Sequence, residues 1–394
     1  MNILVINAGS SSVKFQLLQM PSEQVVCSGM VERIGEKDAV LTYRSARHEQ
    51  TNTHYIESHQ DALKRIVAIL LDSEKGVIKK VDEIDAVGHR VVHGGKLFTS
   101  TTLITAEVKE KIKEFAALAP LHNPHNLSGI NIAEELFPAA KQVAVFDTAF
   151  HQTIPVKAAK YALPNKLFTD EGIQVYGFHG TSHKYVSEKA IDYLGLETSK
   201  IITIHLGNGC SMTAVHNGKS VDTSLGFAPS NGLIMGSRSG DIDHAIIFHL
   251  VNKLGYDLKD VDRMINKESG MLGLTGFADL RDIQREAANG NQECILALEM
   301  NAYRIKKYIG AYAAALNGVD AIVFTAGIGE NSNLLRKMVC TDMDFIGIEL
   351  DDKKNEERSS ALREIQTAAA SVKILVIPTN EELEIAKQVF GMVR

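Results

Sequence analysis

The sequence predicts an α/β chain of two similar halves with a phosphate-like anion held between them. Three observations lead there. Ile201–Val215 is an apolar, β-branched run, a Gly207-Asn208-Gly209 turn and a returning strand-like run. The N-terminus repeats this plan, with Ile3–Ile6, a small-residue turn at Asn7-Ala8-Gly9-Ser10-Ser11-Ser12, and Val13–Leu17 carrying Lys14. After each hairpin, short apolar strands alternate with helical patterns, which is the mark of βα units. Turns of Gly and Asn accept positive φ and carry little side chain, so their backbone N–H groups can approach an anion closely.

At 394 residues the chain exceeds one core, and a prior of about 150 residues per domain gives two or three. Hydrophobic content of 45% and charged content of 23% are those of a soluble globular protein. A net charge of −6 argues against a nucleic-acid partner. No apolar run is long enough for a membrane helix, so no membrane partner is expected. The chain enters a strand at once, without the pattern of a secretory leader. Cys27, Cys210, Cys294 and Cys340 lie far apart, with no metal-ligand spacing. A reducing, cytoplasmic location is expected.

In order, strands are expected at Asn2–Asn7, Ser12–Met20, Gln24–Ile34 and Val40–Arg44, and a helix from His59 to Ser73. A strand at Ile84–Val92 runs into His93-Gly94-Gly95. Thr105 caps a helix whose Val108, Ile112, Phe115 and Leu118 keep helical spacing until Pro120. A second helix runs to Phe137, and strand Gln142–Phe146 ends at Asp147. The halves divide near Thr148–Pro155, giving domains 1–150 and 151–380. The second half repeats the scheme, with a helix to Leu194, the hairpin, Lys219–Thr223, helices between 241 and 289, and a long helix at 292–317. The stripe Ile295, Leu298, Ala302, Ile305, Ile309 and Tyr312 on that helix is expected in the core. Strands Ala321–Thr325 and Val372–Pro378 follow. The helix at 381–394 is expected to pack back on the first domain.

Glycine-rich turns after apolar strands fall at 7–12, 207–210 and 326–329. In open α/β sheets the carboxyl ends of strands are where ligands bind. None of these turns is a Walker A loop or a complete dinucleotide fingerprint. Ser10 and Ser12 suit phosphate hydrogen bonding better than nucleophilic attack, because no nucleophile elbow surrounds them. Arg90, Arg238 and Arg281, with His179 in Gly-Phe-His-Gly, form a cationic set. An arginine fork matches carboxylate or phosphate oxygens, although any one of these taken alone reads better as an isolated surface charge. Asn7, Asp147 and Glu381 end or follow strands and offer the few oxygens that Mg²⁺ takes from protein. Glu381 could equally serve the helix macrodipole. His122 and His125 have no cysteine or carboxylate to complete a zinc site.

These residues lie in motifs that resemble the acetokinase family in order along nearly the whole chain. They are Asn7–Lys14, Gly88–Gly95, His122-Asn123-Pro124, Phe146–His151, Tyr176–His183, His205–Gly209, Met235–Asp241, Phe324–Asn331 and Thr379–Glu382. The resemblance implies two duplicated α/β domains of the sugar kinase, Hsp70 and actin (ribonuclease H-like) type, with an interdomain active-site cleft. It also implies a homodimer and reversible Mg²⁺-dependent phosphoryl transfer between ATP and acetate, giving acetyl phosphate and ADP. Mn²⁺ is expected to substitute. By the same resemblance, Asn7 and Glu381 hold the metal, and Lys14 contacts the nucleotide. His205, Leu206, Gly207, Asn208, Gly209, Asp279, Leu280, Arg281, Gly327, Ile328, Gly329, Glu330 and Asn331 line the nucleotide site. Arg90 binds the carboxylate, Asp147 is catalytic, and His179 and Arg238 stabilise the transition state. The acyl pocket is implied at Val92, Leu121, His122, Phe178 and Pro229.

A carboxylate is ionised at neutral pH and needs no base to attack phosphorus. Direct in-line transfer is therefore expected, with Asp147 orienting other groups rather than abstracting a proton. A propionate or other short-chain carboxylate kinase is the near alternative. A sugar kinase would want polar polyol ligands where Arg90 and apolar residues stand. A chaperone-like ATPase would carry a further peptide-binding domain.

Overall fold

The computed structural model describes residues 1–120 and 122–394. Packing divides them into unit 1, Met1–Phe150 with Asn380–Arg394, and unit 2, His151–Thr379. Among the described residues no helix is long and apolar enough to cross a membrane. All four cysteines are free and buried.

Unit 1 is built on an eight-stranded sheet. Its strands are β1 (Asn2–Ala8), β2 (Ser12–Gln19), β3 (Gln24–Glu32), β4 (Ala39–Ser45), β5 (Glu49–His54), β6 (Ala86–Val91), β7 (Thr102–Leu103) and β8 (Lys141–Phe146). The order is β5-β4-β3-β2-β1-β6-β8-β7. β1 to β5 are an antiparallel meander, whereas β6 and β8 lie parallel to β1. On one face Leu4, Ile6, Phe15 and Leu17 pack with Leu63, Ile66 and Leu70 of helix His59–Leu70. Ser58 caps that helix through the backbone N–H of Asp61. On the other face helix Glu381–Val393 covers Gly88 of β6. A Cβ there would lie 2.8 Å from Val389 and 2.9 Å from Ile385.

Unit 2 has six strands, β9 (Lys200–Leu206), β10 (Cys210–His216), β11 (Lys219–Thr223), β12 (Ala321–Thr325), β13 (Arg363–Glu364) and β14 (Lys373–Val376), ordered β11-β10-β9-β12-β14-β13. β9, β10 and β11 are antiparallel, and β12 and β14 run parallel to β9. The run β11-β10-β9-β12-β14 therefore copies β3-β2-β1-β6-β8 in order and direction. This is the duplicated α/β fold expected from the two hairpins. The long helix Gln292–Leu316 turns Leu298, Ala302, Ile305, Ile309 and Tyr312 into the core, with Ile295 half-buried. Asn317 ends it in the left-handed region at φ 53°.

Several segments differ from the sequence expectation, among them the short strands β7 and β13. β5 was not expected, because Glu49–His54 is polar throughout and sits at the sheet edge, where no apolar face is required. The helix after Thr105 is α-helical only to Glu114 and tightens to a 3₁₀ turn over Phe115–Ala117. The third glycine-rich turn is a short helix, Ala326–Asn331. Ala326 enters it at φ 64°, a left-handed conformation that an alanine adopts only under constraint.

Gly88 tests the packing of the C-terminal helix. Gly88→Val forces the helix off β6 or distorts its side chains, and an overpacked core loses about 1–3 kcal/mol. Denaturant unfolding should show that loss, and an unchanged midpoint would contradict the close approach.

Candidate functional site

In unit 1 the parallel strands β1, β6 and β8 present their carboxyl ends on one side of the sheet. Asn7 stands near the end of β1, Arg90 near the end of β6, and Asp147 just past β8. The Asp147 N–H donates to the Val91 carbonyl at 2.9 Å, which fixes its backbone beside Arg90. Arg90 Nε donates to Asp147 Oδ1 at 2.9 Å, and Nη2 donates to Oδ2 at 2.6 Å. The Asp147 side chain is 1% exposed and that of Arg90 19%. Burial works against the Arg90 charge, but Asp147, then Glu381 and Glu382, outweigh it and hold the guanidinium above the ordinary arginine range.

Helix Glu381–Val393 adds acid to this place. Asn380 caps it, accepting the Leu383 N–H at 3.0 Å. Burial raises the Glu381 carboxyl above the usual carboxylate range, Asp147 and Glu382 add to the rise, and Arg90 and Lys14 oppose it. Glu382 accepts from Lys14 Nζ at 2.7 Å. Lys14 faces Asn7 across the β1–β2 ladder, and its ion pair is with Glu382, the neighbour of Glu381. Three carboxylates (Asp147, Glu381, Glu382) face two cations (Arg90, Lys14). That excess, with the hard oxygen of Asn7, fits a divalent ion that takes its other ligands from phosphate and water. No cluster of three or more His, Cys, Asp or Glu suited to a metal occurs among the described residues. Ser10 lies exposed in the β1–β2 turn, and Ser12 accepts the Gly9 N–H through its backbone carbonyl at 2.8 Å.

The loop after β6 is pinned by two buried asparagines that sequence reading missed. Asn126 accepts the Val92 N–H at 3.1 Å and donates to the Ala8 carbonyl at 2.8 Å. Asn123 accepts the His93 N–H at 3.1 Å and donates back to its carbonyl at 3.0 Å. Both lie in helix Asn123–Leu136, which His122 precedes. Leu121 lies outside the described residues.

Unit 2 holds two further groups. The first is a cavity of about 620 Å³ lined by Gly207, Asn208, Asp279, Leu280, Arg281, Gly327, Ile328 and Asn331, together with Ala278, Gln284 and Ser332. It gathers three separate sequence motifs. The last three residues were missed because none belongs to a glycine turn or a charge cluster. Arg281 and Asp279 pair on the cavity wall, Nη2 to Oδ2 at 2.5 Å. The Arg281 hydrogen bonds lower the Asp279 carboxyl to about 2. Other predicted nucleotide residues do not line the cavity. Leu206 is buried. The Glu330 carboxylate accepts the Thr379 N–H at 3.2 Å. The Gly329 and Glu330 carbonyls accept from the buried Arg336 at 2.8 and 2.9 Å. Arg336 was also missed, although an arginine between Leu335 and Val339 on the buried face of helix Asn333–Cys340 is a readable anomaly.

The second group is a set of histidines. His179, at φ 55°, precedes helix Gly180–Leu194. Its ring stacks on His205 at 4.3 Å, beside Gly209, where a Cβ would stand 3.4 Å from Nε2. His205 Nδ1 meets Ser182 Oγ at 2.8 Å. The Phe178 side chain is buried, and its carbonyl accepts from His151 Nε2 at 3.0 Å. The half-buried Arg238 donates Nη1 to the Pro229 carbonyl at 2.8 Å. Burial lowers the Arg238 guanidinium below its ordinary range.

This arrangement offers cations for anionic oxygens, a cavity of nucleotide size beside glycine-rich backbone, and an acidic oxygen set for a hard metal. Known proteins resemble this chain along nearly its whole length. The family model described as the acetokinase family matches residues 2–387. A Flavobacterium johnsoniae protein named acetate kinase is 62% identical over 392 residues, covering 100% of this chain and 99% of its own. One from Thermotoga maritima is 53% identical, covering 98% and 97%. The crystal structure of Porphyromonas gingivalis acetate kinase aligns at a TM-score of 0.93 with 45% identity, covering 100% of both chains. A Francisella tularensis propionate kinase aligns at 0.92 with 42% identity, covering 98% of both. The chain belongs to the acetokinase family.

Proposed function

We propose that this protein is an acetate kinase, transferring the γ-phosphoryl of ATP reversibly to acetate and yielding acetyl phosphate and ADP. The observation that carries this reading is the buried Arg90–Asp147 fork at the strand ends of unit 1. Asp147 takes Nε and Nη2, leaving Nη1 as the donor for a substrate carboxylate. Asp147 thus acts by aiming Arg90. No base is needed, since the acceptor is already an anion.

Transfer is then positioning plus charge stabilisation. An acetate oxygen attacks the γ-phosphorus in line, and the β–γ bridging oxygen leaves with its electron pair on ADP. Arg238 and His179 stabilise the charge spread over the transferring oxygens. Asn7 and Glu381 would hold Mg²⁺ or Mn²⁺, which when bound neutralises phosphate charge. Unit 2 binds the nucleotide through its 620 Å³ cavity. By the family resemblance, Lys14, Ser10 and Ser12 contribute to phosphate binding. By the same resemblance, the methyl-pocket residues are Val92, Leu121, His122, Phe178 and Pro229. One methylene changes discrimination by only about 1–3 kcal/mol, so propionate is a slower second substrate, in keeping with the propionate kinase relative. The protein is a cytoplasmic homodimer in this proposal, and exposed Phe248, Leu258, Leu296 and Tyr303 of unit 2 supply apolar surface for it. Its solution mass should be that of two chains, and a monomer at micromolar concentration would contradict this.

Hydroxylamine trapping tests the activity. Acetate with Mg-ATP should yield acetyl hydroxamate, and ATP hydrolysis without an acetate-dependent signal would contradict the assignment. In the same assay Arg90→Ala should raise KM for acetate, and Arg238→Ala should lower kcat by about 10²-fold or more, as for loss of one transition-state donor. An unchanged kcat in Arg238→Ala would remove its role.

A further inference from the structure

Two helices of unit 1 reach the β1–β2 turn with side-chain donors. His59, the first residue of helix His59–Leu70, meets the Gly9 carbonyl through Nε2 at 2.6 Å. A carbonyl only accepts, so His59 carries a proton on Nε2 and donates it. Asn126 Nδ2 donates to the Ala8 carbonyl at 2.8 Å. The His59 ring stacks at 5.6 Å on His125, which precedes Asn126 in helix Asn123–Leu136. The same helix brings Gly129 so close that a Cβ there would lie 2.9 Å from the Ala8 Cβ. Two further carbonyls of the turn are held by backbone. Ser11 accepts the Ile34 N–H at 2.9 Å, and Ser12 accepts that of Gly9 at 2.8 Å.

These bonds decide which way the peptide groups of the turn face. A trans peptide is planar, with its C=O and N–H pointing in opposite directions. The Gly9–Ser10 peptide is trans. With the Gly9 carbonyl drawn toward helix His59–Leu70, the Ser10 N–H points away from that helix. Ser10 and Ser11 are exposed, and their N–H groups donate to no acceptor among the described residues. Carbonyl oxygens repel an anion, whereas successive backbone N–H groups of a turn make a concavity that binds one. The turn thus keeps its acceptors engaged within the fold and leaves donors for an anion.

We infer that His59 is a positioning residue for the nucleotide phosphates, holding the Gly9–Ser10 peptide so that the Ser10 N–H is aimed at them. This rests on the kinase reading, in which the β1–β2 turn contributes to phosphate binding. His59 acts through Gly9 rather than on the substrate. The glycine makes such a hold necessary, because without a Cβ its backbone rotates at little steric cost. Once the His59 donor is removed, the peptide can turn over, and a carbonyl then replaces the N–H in front of the phosphates. Asn126 holds the preceding peptide from the other helix.

The test is calorimetric titration of the full-length protein with magnesium tripolyphosphate and, separately, with adenosine, which divide ATP into its phosphate chain and its nucleoside. His59→Phe keeps a ring to stack on His125 but removes the donor. It should weaken tripolyphosphate binding about tenfold, as for loss of one hydrogen bond to a charged group, and leave adenosine binding unchanged. His59→Gln, whose amide offers an N–H at a similar reach, should restore most of the tripolyphosphate affinity. A His59→Phe protein that binds both ligands as wild type does, or loses both alike, overturns the inference. So does a folded His59→Gln protein as weak as His59→Phe, or a wild type that binds no tripolyphosphate. Kinetically, His59→Phe should raise KM for ATP and leave KM for acetate constant. A wild type that binds tripolyphosphate yet forms no acetyl hydroxamate strikes the kinase reading instead, and the His59 comparison stands.

Discussion

The proposed chemistry of this protein depends on keeping a guanidinium charged and aimed in a largely buried place. Arg90 achieves both through Asp147. The carboxylate supplies the counter-charge that burial demands and, by gripping Nε and Nη2, orients the remaining nitrogen. Half of such a pair would be a liability. An uncompensated buried charge costs about 3–5 kcal/mol. Loss of either partner would thus reach both fold and function.

The same logic extends outward. β1, β6 and β8 run parallel, so Asn7, Arg90 and Asp147 arrive together although more than 130 residues of chain separate the first from the last. Helix Glu381–Val393 reaches this sheet because Gly88 leaves room for it, and its first turn delivers Glu381 and Glu382. In unit 2 the equivalent strand ends carry the Gly207–Gly209 turn and the helix starting at Ala326. The duplicated sheet supplies acid and arginine in one unit, and glycine backbone and histidine in the other.

Much of this was legible. Apolar β-branched runs marked β1, β2, β9 and β12, and strand-end residues marked Asn7, Arg90 and Asp147. What was not legible lacked a local signal. β5 is polar and edge-bound. Asn123 and Asn126 act through backbone atoms more than 25 residues away. Arg336 is a buried cation satisfied by carbonyl and amide oxygens, including those of Asn355. The contact of His59 with the Gly9 carbonyl depends on a helix meeting the β1–β2 turn, which no spacing in the chain announces. Periodicity reveals which face is buried, but not which polar atoms meet there.

The most direct measurement follows the phosphoryl group itself. In a single turnover with γ-labelled ATP, Mg²⁺ and acetate, label should pass from ATP to acetyl phosphate with none retained on the protein. That is the behaviour of direct transfer between two anions, as proposed. Protein-bound label that forms and decays as fast as product appears would contradict direct transfer, and with it the account of this site.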